Sequence, residues 1–485
     1  MWSLAEQLSV VARSADELAE ALGKDARRTV IVLPDLHSGS AVDLVLDLAR
    51  LPHLRLVVEC RTGSPAHQAL SRVECAELDL NLDQWRDQQR YEQWLASTPA
   101  HGAPATPRAG STSLDLSDPV AVCEADPRLV TLGYERDDQD HGGLRAAWLR
   151  AGQALCQEQS PASRALIVST VLGDSADPRL APALADLASD APWNLEWSRV
   201  CGDVKPPWPG PATALAAGAG PLAGCLLMAG HQETVRIVSV SDATSRGRLP
   251  ARGGRLRGLA AMQDGTVLFL DQWGGVGADP TWTARAAGSG IEKLLDQGPS
   301  DAERLLASLK GHSGTAMGTV AGPATGSVVL GDAGGRVAVH GDATAEAVLH
   351  KGTVAAVAGL SLPLDDGEAL PVVYSGGADG TVRAWAPGHS PMSEAVVKRA
   401  CSVVSLGAAI TENGPTLAVA WADGVVDWIH CDTGTLRSFR PGPPVRSVAL
   451  TPEGRLLIGM DEALTCITPR EVLSDAPSRG VEGHS

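Results

Sequence analysis

The sequence predicts a chain of several domains: an α/β segment, a helical region, and an all-β propeller of six blades, with seven as the alternative count. Three observations predict this order. Hairpin signatures recur through the C-terminal part of the chain at steps of roughly 40 to 45 residues, the length of a four-stranded blade. A continuously apolar, β-branched run near the start, Thr29-Val30-Ile31-Val32-Leu33, reads as a strand buried in a parallel sheet. Between these regions, residues 119–190 carry amphipathic helical patterns.

The clearest hairpin runs from Val372-Val373-Tyr374 through Ser375-Gly376-Gly377-Ala378-Asp379-Gly380 to Thr381-Val382-Arg383-Ala384-Trp385. Gly380 permits the positive φ of a tight turn, and Thr381 and Val382 restart an extended strand. Copies aligned on the turn occur at 226–237, 266–275, 328–339, 417–428 and, degraded, at 456–467. An apolar stretch rich in Ala and Gly precedes most of them, at 256–262, 315–320, 354–360, 402–408 and 445–450, and is expected to form the crowded inner strand. One step is longer by about half a blade. It contains the helical run 301–310, read as an insertion. Residues 193–200 alternate bulky and polar side chains and are expected to supply the outer strand of the last blade, closing the ring without an open edge.

The front of the chain is built differently. Residues 14–22 form a helix with Ser14 as N-cap and Glu17 at the capping-box position. Strand 29–33, helix 40–51 and strand 54–60 then give a β-α-β unit. Residues 79–82 fit a further short strand, and 83–95 a helix bearing Trp85, Tyr91 and Trp94. The expected boundaries are an α/β domain at 1–96, a linker at 97–118 rich in Pro, Ala, Ser, Thr and Gly, helices at 119–190, the propeller at 193–470, and a tail at 471–485.

On its hairpins, the region 193–470 resembles WD-repeat propellers. Trp385 stands at the Trp position of that family's signature, and Gly311-His312 resembles its Gly-His pair. The resemblance marks Gly311, His312, Gly376, Asp379, Gly380, Trp385, Asp423, Gly424 and Trp428 as repeat-signature residues, structural and not catalytic. The β-α-β unit resembles the second half of a signal-transduction (STAND-type) P-loop ATPase, with Asp35 after the acidic strand and Arg61 after the sensor strand. This resemblance makes Asp35 and Arg61 the nucleotide-binding candidates. No Gly-x-x-x-x-Gly-Lys-Ser/Thr occurs, and Pro34 holds the metal-binding position. A site without a glycine-rich loop and its Lys has no cradle for phosphates, so the domain is expected to be a truncated, inactive relative. Residues 119–190 resemble the helices that follow the nucleotide core in those ATPases. The abundance of Ala and the excess of Arg over Lys, with these resemblances, point to an actinobacterial source.

Composition excludes several classes. A net charge of −17 provides no surplus for phosphate neutralisation, so nucleic acid is not expected as a partner. The local basic set Arg246, Arg248, Arg252, Arg255 and Arg257 reads as a polar loop between blades. No apolar run is long enough for a membrane helix and no signal peptide is visible. The nine Cys are scattered without a Cys-x-x-Cys, which disfavours disulfides and zinc, and points to a cytoplasmic protein. The acidic run 137–140 reads as a solvated loop. Gly311-His312-Ser313-Gly314 lacks the glycine two residues after the Ser that a nucleophile elbow needs, since Thr315 stands there; Gly288-Ser289-Gly290 lacks a βαβ context, and Asp35, His37 and Ser38 are too close in sequence for a triad. Trp273, Trp385, Trp421 and Trp428 are expected to pack blades, with any Trp exposed on the top face serving as a partner anchor.

The expectation is a non-enzymatic scaffold or adaptor with no cofactor or metal, and the family resemblances imply a bacterial signalling or conflict (defence) system as its setting. Its propeller docks a protein or peptide, and a partner ATPase or protease is the expected context. The alternative is an ATP-regulated switch whose phosphate loop comes from a partner chain.

Overall fold

The computed structural model describes residues 1–25, 27–34, 36, 39–80, 82, 114–201, 210–230, 234–250, 254–281, 301–321, 326–341, 344–364 and 369–470. The chain divides into two compact units, Met1–Asp115 and Leu116–Ser485, and the division falls within the stretch read as a linker.

In the first unit, α1 (Trp2–Gln7) and α2 (Ala15–Lys24) precede β1 (Thr29–Leu33), α3 (Gly39–Ala49), β2 (Leu54–Val58) and α4 (Pro65–Leu70). Ser14 caps α2 by accepting from the Glu17 N–H, while the Glu17 carboxylate accepts from the Arg13 N–H. The two strands pair in parallel, with Ile31 opposite Leu56. Leu18 and Leu22 of α2 and Leu44 and Leu48 of α3 bury Ile31 and Leu54.

The expected burial on both faces does not occur. Val30, Val32 and Val57 are more than half exposed, because the helices cover one face and no described element covers the other. The third strand expected at 79–82 is also absent among the described residues, and Leu80 and Leu82 face solvent. The helix expected at 83–95 lies outside the described residues, as do Asp35, His37 and Ser38.

The second unit starts with helices α5 (Pro119–Glu124), α6 (Pro127–Arg136), α7 (Leu144–Ala151), α8 (Pro161–Thr170) and α9 (Leu180–Leu187). Pro follows a capping Asp or Ser at the start of α5, α6 and α8, where its missing N–H costs no helical bond. Trp148, fully buried, donates to Thr131 Oγ1, and Arg164 donates to the carbonyls of Cys123 and Ala125. These bonds tie the helices into one layer.

Antiparallel meanders follow in a propeller-like arrangement. The first comprises β4 (Ala214–Ala217), β5 (Cys225–Ala229), β6 (Thr234–Ser239) and β7 (Ser245–Pro250). The second comprises β8 (Leu256–Ala261), β9 (Val267–Asp271) and β10 (Val276–Asp279), followed by the inserted helix α10 (Asp301–Leu309). Then come β11 (Ala316–Ala321), β12 (Val328–Gly331), β13 (Arg336–His340) and β14 (Ala345–Val348), and after them β15 (Val354–Pro363), β16 (Ala369–Gly377), β17 (Thr381–Trp385) and β18 (Val397–Lys398). A parallel pairing of β11 with β15 joins these two meanders into one eight-stranded sheet. The fifth is β19 (Val403–Thr411), β20 (Gly414–Trp421), β21 (Val426–His430) and β22 (Thr435–Phe439). The last is β23 (Val445–Leu450), β24 (Leu456–Met460) and β25 (Ala463–Pro469), completed by β3 (Trp193–Val200), which pairs antiparallel with β25. The N-terminal strand therefore closes the C-terminal sheet.

The inner strands β4, β8, β11, β15, β19 and β23 neighbour one another in sequence order, and β23 returns to β4. Their small residues are a steric requirement. A Cβ on Gly318 would stand 2.7 Å from the Val357 carbonyl oxygen, and one on Gly359 2.9 Å from the Val320 Cα.

Candidate docking face

In each meander the inner strand begins beside the turn between its second and third strands, so these turns gather at one end of the ring. The best-kept turn, Ala378-Asp379-Gly380, shows how they are built. Gly380 has φ +73°, and a Cβ there would meet the Arg399 carbonyl oxygen at 2.3 Å. The Asp379 carboxylate accepts from the Thr381 N–H (3.1 Å), the Thr381 hydroxyl (2.7 Å) and the Lys351 N–H (3.0 Å). His350 Nδ1 lies 3.1 Å from Asp379 Oδ1, and Nε2 lies 2.9 Å from Ser375 Oγ. Burial alone would raise the Asp379 pKa, but the hydrogen bonds from Lys351, Thr381 and His350 outweigh it and hold the carboxyl below its ordinary range.

Ser375, His350 and Asp379 thus reproduce the connectivity of a Ser-His-Asp triad, yet the His350 and Ser375 side chains are fully buried. No substrate reaches them, and the bonds fasten the turn to the preceding connection.

The next meander uses other residues for the same purpose. Asp423 accepts from the Val425 N–H and pairs with Arg399 Nη2 at 2.6 Å. Arg399 occupies the place of His350: its N–H donates to the carbonyl of turn residue Gly380, as that of His350 does to Gly335. Its guanidinium also lies 3.8 Å from Asp427 Oδ2 and 5.7 Å from the centre of the Trp421 ring. Asp427, nearly fully buried, accepts from Trp421 Nε1 (2.8 Å) and Ser438 Oγ (2.6 Å).

Of the other signature residues, Gly424 has φ +83°, Gly376 packs against Val403, and Trp385 and Trp428 are buried in third strands. Gly311 and His312 stand elsewhere. Gly311, with φ +87°, ends α10, the His312 N–H donates to the Leu309 carbonyl, and the His312 ring meets the edge of His340 at 4.9 Å. The histidine that bonds a turn aspartate is His350, which sequence reasoning missed.

Of Trp273, Trp385, Trp421 and Trp428, Trp273 alone is exposed, at 76%. It projects from the turn after β9, where its N–H donates to Asp271 Oδ1 and its carbonyl accepts from Ser313 Oγ. Beside these turns opens a channel of about 160 Å³ lined by the inner strands. At its mouth four of those strands carry a β-bulge at the same step, and the extra residues are Arg257, Ala355, Val404 and Arg446. Bulges re-aim a side chain out of the ladder, and here all four line the channel. The basic set expected in one loop is therefore distributed. Arg246 and Arg248 lie on outer strand β7, Arg257 on inner strand β8, and Arg252 outside the described residues. A signal for the mouth was present in the parallel phrases Leu256-Arg257-Gly258 and Val445-Arg446-Ser447.

The nucleotide candidates are not brought together. Arg61 is exposed in the connection before α4, and Asp35 lies outside the described residues. In the acidic loop, His141 bridges Asp137 (3.1 Å) and Ser117 (2.9 Å). No metal-binding cluster occurs among the described residues, and no helix among them is long and apolar enough to cross a membrane. Gly288-Ser289-Gly290 lies outside the described residues.

No family model matches the chain, and no curated protein does. Among solved structures, it is similar to one described as the structure of U3-55K, at 12% identity and TM-score 0.35, with 56% of this chain and 98% of that one covered. It is also similar to the crystal structure of RRP9 WD40 repeats, at 11% identity and TM-score 0.34, covering 57% and 100%.

Proposed function

We propose that this chain is a non-enzymatic scaffold whose ring docks a protein segment on the end that carries Trp273. The observation that carries the reading is that side chain: a large aromatic held by a hydrogen-bonded turn and left 76% exposed at the end of the ring where inner strand β8 begins. Trp and Arg dominate the energetics of protein interfaces, and both stand at this end of β8 and β9. The ring is read as six-bladed, one blade per inner strand.

The first unit is read as an assembly module derived from a STAND-type ATPase. Its parallel β1-α3-β2 unit supports that ancestry, and the missing phosphate loop supports loss of hydrolysis. A cytoplasmic adaptor in a bacterial signalling or defence pathway, working beside an ATPase or protease, is the setting that best fits, and nine cysteines that form no disulfide agree with a reducing compartment.

Photo-crosslinking from position 273 in cells tests the docking face. Adducts from 273 and none from the exposed outer-strand position 436 are expected, and the reverse pattern overturns the assignment. Calorimetric titration of the full chain with ATP and Mg²⁺ is expected to show no binding; micromolar affinity would favour the switch.

A further inference from the structure

We propose that Arg257 is a receptor for a side-chain carboxylate, so that the partner segment docked beside Trp273 presents an Asp or Glu to the channel mouth. The inference rests on the docking-face reading and adds the partner's chemistry. It follows from comparing two meanders of this one chain. Arg446 is the extra residue of the bulge in β23, and it grips Asp461 with two bonds, Nε to Oδ1 at 2.7 Å and Nη2 to Oδ2 at 2.9 Å. Asp461 comes directly after Met460, the register partner of Val445. Arg257 is the extra residue of the same bulge in β8, and the residue directly after the register partner of Leu256 is Gln272. The same arginine position thus has an internal carboxylate in one meander and a neutral amide in the other.

Asp271, the nearest acid in sequence to that position, does not substitute. Its Oδ1 is engaged by the N–H groups of Trp273 and Gly275, both at 2.8 Å. Arg257 makes no ion pair among the described residues and is exposed at the mouth. A guanidinium presented by a rigid strand binds a carboxylate in a planar, two-bond geometry, the geometry that Asp461 already displays.

The test pans a phage-displayed random 12-residue library on the full chain and measures the enriched peptides by fluorescence anisotropy. Asp or Glu enrichment is expected, with binding weakened about tenfold to a hundredfold by Arg257→Ala and weakened further by salt. Gln272→Asp supplies the internal carboxylate that Asp461 models. It should abolish acidic-peptide binding while leaving the melting temperature equal or higher, which separates occupancy of Arg257 from misfolding. Amidating the peptide C-terminus should change nothing; loss on amidation would reassign the site to a chain terminus. Peptides that require Trp273 but carry no acidic bias would sink the carboxylate inference and leave the docking face standing. Binding indifferent to Trp273→Ala, Arg257→Ala and Gln272→Asp would overturn both.

Discussion

At the scale of single residues, the turn aspartates show how one geometric need is met by different chemistry. Asp379 is held by a neutral-capable His350 and three other donors, whereas buried Asp423 and Asp427 are held by the permanently charged Arg399. Removing Arg399 leaves buried Asp427 with no cation among the described residues and Asp423 with Arg440 Nη2 at 3.8 Å, so Arg399→Ala should cost about 3 kcal/mol in denaturant unfolding. Arg50→Ala, which breaks an exposed pair with Asp47, should stay within about 0.5 kcal/mol. Asp379 also makes a pH prediction. Its carboxyl is depressed in the folded chain, so its contribution is full above the unfolded value near 3.8 and is lost as pH falls through the lower folded value. The difference in melting temperature between the wild type and Asp379→Asn should therefore be constant from pH 7 to 5 and shrink below pH 4. A difference that grows on acidification would contradict the assigned hydrogen bonds.

At the scale of elements, what was legible in the sequence was what local chemistry alone determines. The Asp-Gly turns, the apolar second strands and the Ser14 cap are each written in a few adjacent residues, and the structure has them where those residues stand. The failures share a cause. Thr29-Val30-Ile31-Val32-Leu33 has the composition of a strand covered on both faces, but coverage is a property of other segments, and Val30 and Val32 lie open. Gly311-His312 has the right letters beside an inserted helix, and the tertiary partner of Asp379 is His350, 29 residues upstream in a pair no local pattern connects. The bulged arginines were likewise present as letters but invisible as a site, because a register shift is set by the paired strand. Close approach between inner strands is a further nonlocal constraint that can be measured. Gly359→Val adds volume against the Val320 backbone and should destabilise the chain by about 1–3 kcal/mol, while Val32→Thr on the open sheet face should stay within about 0.5 kcal/mol.

At the scale of the second unit, closure through β3 makes the helices and the ring one cooperative body. The helices lead directly into β3, and β3 completes the last sheet, so the sequence order forces the helical layer onto the closing meander. The contacts follow. The Thr170 carbonyl at the end of α8 accepts from Ser198 Oγ of β3 and from Thr465 Oγ1 of β25, and Arg150 of α7 pairs with Glu462 at 3.2 Å. A Cβ on Gly442 would stand 2.6 Å from the Ala151 Cα, so the helical layer sits against the connection that enters β23. Trp197 then bonds the closing sheet to the first one, its Nε1 donating to the Val240 carbonyl at 2.8 Å. Because the last sheet without its closing strand leaves the edge of buried β25 open and loses the Trp197 contact to the first sheet, loss of this joint should be felt all around the circle. A fragment starting at residue 201 should be an aggregation-prone, non-cooperative species, whereas one starting at 116 should unfold in a single transition. Trp197→Ala, within the intact chain, should cost about 3–5 kcal/mol and raise amide exchange in β4 and β5 as well as in β25, since the lost indole spans both sheets. Exchange that rises only in β25 and β3 would mean that the joint is local and that the ring does not depend on its closure.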